Sequence, residues 1–439
     1  MLDTVPYAGI KKTADGSQRL LKQGIWLYFL LLLFEGALRK WFLPALATPL
    51  LLVRDPLALW LVFETWRRGL LPANFHMVGM VMIGIIGTYT ALGLGHGSMA
   101  VAGYGARILL LHVPLIFVIG RIFNREDVLK VGKVTLWIAI PMALLIGLQF
   151  FSNQSAWVNR GVGGDVSGAG FSGALGYLRP PGTFSFTNGT TLFFAFVASY
   201  VCYFWLNPLG IHRTILIGAT ICLLVAIPLS ISRGLFFHIG VSVFFALFAT
   251  SRNPRYMGRM IAAVIGIGVV LTVLGNNSFF QIATSAFSAR FETANMQEGG
   301  LGGVLLDRYL GGMVGALTES SEQPFFGYGI GMGTNVGSML LTGKFTYLVS
   351  EGEWGRLIGE LGPLMGIGVI ILRISLIIKV GKASFRRLSE GDLLPWMMLS
   401  FGIMVFPQGQ WSQPTSLGFC TLSIGLIIAS LRTLSYEEK

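Results

Sequence analysis

Charge is what this sequence has least of. Asp, Glu, Lys and Arg make up 12% of its 439 residues, against 53% hydrophobic ones. A soluble domain carries about twice that charged share, so a water-soluble globule is excluded. Cysteine is scarce as well. Cys202, Cys222 and Cys420 lie inside apolar runs and form no CxxC or other metal-ligand spacing; buried apolar-type cysteine is the reading they support. The five histidines, at 76, 96, 112, 212 and 238, are scattered without a pairing suited to zinc. No basic soluble segment is present to carry nucleic-acid binding. No internal repeat speaks for an inverted-repeat transporter fold. No cleavable signal is expected either: the first 23 residues are polar, with Lys11, Lys12, Arg19 and Lys22, and the first apolar run is expected to be an uncleaved anchor.

What the chain has in abundance is apolar runs near the length of roughly 20 residues that a helix needs to cross a hydrocarbon core. They predict an all-α polytopic integral membrane protein with about twelve spans: 24–42, 46–66, 75–95, 104–121, 134–151, 188–206, 214–231, 235–250, 260–275, 355–378, 393–407 and 416–432. The net charge of +12 is then a topology signal. With the N-terminus in the cytoplasm, about twenty of the 32 basic residues fall on the cytoplasmic side, as the positive-inside rule requires. Both termini are expected to be cytoplasmic. Two large segments are left outside, 152–187 and 276–354, within a single membrane domain spanning 1–439. The second is long enough to demand a role.

Among the basic residues that break the charge rule, four arginines stand out. Arg179, Arg233, Arg308 and Arg356 fall outside or at the outer membrane face, and Arg233 in SISRG has hardly any loop to hold it. A cation at that depth is expensive and marks a site or a pairing partner. Arginine suits a diphosphate, because its planar fork donates bidentately and keeps its charge. Elsewhere, Glu35 and Arg39 stand at i,i+4 and could satisfy each other, and Arg54 and Asp55 read as a nearby pair. GYGIGMG (327–333) resembles a dinucleotide loop only superficially, since no strand–helix context surrounds it.

These motifs, taken in order, resemble the O-antigen ligase/polymerase family of bacterial envelope enzymes over roughly residues 175–370. RPPGTFSFTN (179–188) looks like that family's arginine–glycine–phenylalanine–asparagine entry to a span, and SISRG (230–234) like its serine–arginine–glycine turn. DRYL and QPFFGYGIG (307–310 and 323–331) are similar to its long-loop signature, and EGEWGRLIGELG (351–362) to its closing motif. The resemblance implies transfer of a glycan from undecaprenyl diphosphate to an acceptor hydroxyl on a glycan, lipid or protein. The transfer takes place at the outer face of the bacterial inner membrane, with no cofactor and no metal, and the outer loops hold no DxD. Arg179, Arg233 and Arg308 would bind the diphosphate. Glu351, which stands where many relatives begin the closing motif with histidine, would be the general base beside Arg179 and Arg233. Asn188, Glu353 and Arg356 are further candidates, although Glu353 and Glu360 have a ready partner in Arg356 at i,i+3 and i,i+4. The rival from another class is a transporter or flippase of lipid-linked glycans, which would use the arginines as a diphosphate path.

Overall fold

The computed structural model describes residues 14–208, 210–298 and 312–432. Helices form nearly all of its regular structure, and the described residues contain a single two-stranded sheet. Ten helices among them are long and apolar enough to cross a membrane: Gln18–Phe42, Pro44–Arg67, Phe75–Gly93, Met99–Ile122, Arg125–Phe151, Thr187–Leu206, Arg233–Arg252, Pro254–Gly275, Glu353–Ser389 and Pro414–Leu431. Arg213–Leu229 and Leu394–Val405 are apolar but shorter, at 17 and 12 residues. The chain is an all-α multi-pass membrane protein. The apolar runs read from the sequence fall on these helices, with the largest differences at helix ends. One helix starts at Arg125 rather than near 134 because Asn124 and Asp127 form a reciprocal capping box, which satisfies two orphan N–H groups.

Which helix sits at the centre is decided by packing, since in lipid every face of a span is apolar. Thr187–Leu206 is the axis, 89% buried along its apolar window, flanked by Pro414–Leu431 at 78%. Pro254–Gly275 lies at the rim, with only 6% of its window covered by protein.

Inside the bundle the expected i,i+4 pair of Glu35 and Arg39 is present, but Arg54 and Asp55 find other partners. Arg54 Nε donates to Glu35 at 2.9 Å, while Arg39 lies 3.6 Å from the same carboxylate. Asp55 pairs instead with Arg107 at 2.8 Å and with His112 at 3.0 Å. Arg54 and Asp55 are therefore not a pair: consecutive helical residues project in different directions and must each find a partner on another helix.

Glu353–Ser389 is broken at Gly362, which takes φ 80°, followed by Pro363. The loop 325–333 lies over the break, backbone on backbone. Tyr328 N donates to Gly359 O at 2.8 Å and Gly329 N to Glu360 O at 3.0 Å. A Cβ on Gly362 would come within 2.0 Å of Phe325 O. Close approach of two segments of backbone thus accounts for glycine in GYGIGMG and at 362.

Candidate functional site

Three motifs from distant parts of the chain are brought to one place by identifiable local forces. In RPPGTFSFTN, Arg179 ends the second strand of a hairpin, Phe171–Ala174 paired antiparallel with Tyr177–Arg179. The next residues enter the bundle. Gly182 N donates to Gln149 Oε1 at 2.8 Å, Lys40 Nζ donates to Gly182 O at 2.6 Å, and Thr183 Oγ1 donates to Leu33 O at 2.6 Å. Gly36 lets this segment touch the first helix, where a Cβ would lie 2.5 Å from Ser185 N. The motif is a buried plug that fixes Arg179 just outside the bundle.

SISRG turns sharply at Ile231, whose φ of 46° is rare for a β-branched residue. Ser232 then caps the helix, accepting from Leu235 N at 3.2 Å, and its hydroxyl bonds Thr191 Oγ1 at 2.8 Å. Arg233 is thereby the first residue of Arg233–Arg252. Backbone strain of this kind collects at functional sites.

These residues line a cavity of about 700 Å³, and Glu351 lies on the same wall system. Among the described residues, Arg179, Arg233 and Arg290 are its arginines and Glu351 is its carboxylate. Asn188 also lines it and donates to Ser416 Oγ at 2.9 Å. Tyr347 stands near Glu351, and burial first, then the Glu351 charge, push its phenol above the ordinary tyrosine range. The phenol therefore stays neutral and available as a donor. A smaller hollow of about 190 Å³ beside Lys22, Arg121 and Arg432 involves none of the motif residues.

Arg290 was not singled out in the sequence. It lies on Ser278–Glu298, which packs its phenylalanines against the neighbouring helices: Phe287 and Phe291 meet Phe236, and Phe279 meets Phe151. Arg290 Nη1 donates to Gly173 O at 3.0 Å, tying this helix to the hairpin that carries Arg179.

Arg308 lies outside the described residues. Glu353 and Arg356 do not line the cavity; they belong to a buried ionic brace behind it. Arg356 pairs with Glu353 at 2.9 Å and with Glu360 at 2.5 Å, as their helical spacing predicts. Arg373, a charge within an apolar run, donates to Glu353 at 2.8 Å, and also to Phe406 O at 2.7 Å and Gly409 O at 3.1 Å. The Trp411 ring stacks 3.9 Å from Arg373, and the Trp411 backbone N–H donates to Glu353 at 3.0 Å. The brace thus holds the loop after Leu394–Val405 as one wall of the cavity.

Among the described residues no group of three or more His, Cys, Asp and Glu side chains gathers as a metal site. No protein-family model and no curated protein matches the chain.

Proposed function

We propose that the chain transfers a glycan from an undecaprenyl-diphosphate carrier to an acceptor hydroxyl on a glycan, lipid or protein, at the outer face of a bacterial inner membrane. Both termini are then cytoplasmic, and 152–187 and 276–354 are external. One observation carries this reading: Arg179, Arg233 and Arg290 line a single cavity with the carboxylate of Glu351. A guanidinium donates bidentately and keeps its charge, which suits the doubly ionised diphosphate diester of such a carrier. The resemblance of the arginine motifs to O-antigen ligases and polymerases points the same way.

The chemistry follows from the charges. Glu351 accepts the proton of the acceptor hydroxyl as its oxygen attacks the anomeric carbon. The new glycosidic bond forms as the bond from that carbon to the phosphate oxygen breaks. The electron pair leaves on undecaprenyl diphosphate, where the arginines stabilise the developing charge. Reconstitution in liposomes with a lipid-linked glycan tests the proposal. Transfer should release undecaprenyl diphosphate in step with glycosidic bond formation. Movement of the intact lipid across the bilayer without bond formation would instead make the chain a carrier.

A further inference from the structure

Besides the arginines, the cavity has a lining of a different chemistry. Gln408, Gln410 and Gln413, from the loop 407–413, line it together with Asn188. The amides of Gln410, Gln413 and Asn188 form a directed chain. Gln410 Nε2 donates to the Glu351 backbone oxygen at 3.0 Å, Gln413 Nε2 donates to Gln410 Oε1 at 2.7 Å, and Asn188 Nδ2 reaches Gln413 Oε1 at 3.4 Å. The direction is forced from one end. A carbonyl oxygen can only accept, so Gln410 must present its NH₂ to Glu351, and each following amide is oriented in turn. Every amide in this chain still has an N–H or a lone pair to spare, and all are only half-buried. The Arg373–Glu353 brace holds the backbone of this loop at Phe406, Gly409 and Trp411.

We infer that this wall is a subsite for an uncharged sugar unit, the one attached to the diphosphate. Hydroxyl and acetamido groups both donate and accept, and pre-oriented carboxamides match them in both directions. The wall adds no charge, so it offers an acidic or basic sugar nothing to pair with. Because Gln410 also holds the Glu351 carbonyl, occupancy of the subsite is linked to the position of Glu351. This inference rests on the glycan-transfer reading, and its test separates the two.

The probes are undecaprenyl diphosphate alone and undecaprenyl diphosphate carrying one neutral hexose or N-acetylhexosamine, from a panel of such sugars. Binding is measured to the whole protein in lipid nanodiscs. The wild type should bind at least one sugar-bearing lipid about tenfold or more tighter than the bare lipid. Gln408→Leu and Gln413→Leu should each erase most of that difference while binding the bare lipid as the wild type does, which also shows that the variants are folded. Equal binding of bare and sugar-bearing lipids by the wild type across the panel overturns the subsite, as does an undiminished difference in both variants. Failure of the wild type to bind either lipid overturns the glycan-transfer reading itself.

Discussion

At the residue scale, burial separates two neighbouring glutamates along the line that the helical spacing to Arg356 already draws. Glu351 is exposed on the cavity wall, whereas Glu353 is buried and holds Arg356, Arg373 and the Trp411 backbone. Glu351→Gln should therefore cost roughly 10²–10⁴ in transfer rate, the usual loss for a general base, with thermal stability unchanged. Glu353→Gln should lower the melting temperature instead. A Glu351→Gln enzyme within a few-fold of wild type, assayed by glycan transfer in liposomes, ends that assignment. Arg233→Lys separates bidentate recognition from simple charge: activity should fall steeply, because an ammonium cannot reproduce the guanidinium fork. Full activity in that variant would show that charge alone suffices. Arg179 and Arg233 were legible because an arginine at a membrane lip is costly and asks for a reason. Arg290 sits in a polar stretch where an arginine costs nothing, so only the docking of its helix reveals it. The glutamines of 407–413 raised no signal for the same reason.

At the scale of elements, the apolar runs were readable because their length is dictated by the bilayer. Which helix is central was not, since spans apolar on every face carry no stripe to orient them. The Glu353–Arg356 and Glu360–Arg356 pairs were visible as helical spacings. Their tie to Arg373 and the 406–411 loop was not, because it depends on the break at Gly362 and on a second helix. Two predictions test these elements. Removing one member of a buried ion cluster leaves uncompensated charge and costs on the order of 3–5 kcal/mol, so Arg373→Met should unfold markedly earlier than wild type in a detergent melt. An unchanged melting temperature would show that the brace contributes nothing. Gly362→Ala should be destabilised by at least about 1 kcal/mol, because its φ is positive and the added Cβ would collide with Phe325 O.

At the scale of the whole molecule, the proposal needs the cavity to open away from the cytoplasm. Charge asymmetry predicts that a cysteine at position 165 is labelled by a membrane-impermeant thiol reagent in intact cells, and that one at 386 is labelled only after the membrane is opened. The reverse pattern would reverse the topology and remove the outer-face reaction. The central claim is that the arginine-lined cavity holds a lipid diphosphate, and titration of the purified protein in nanodiscs with undecaprenyl diphosphate tests it most directly. The wild type should bind saturably. Loss of one buried charge contact costs on the order of 2–5 kcal/mol, so Arg233→Ala should weaken binding by roughly 30-fold to several thousand-fold. Binding of the same strength in wild type and Arg233→Ala would contradict the account.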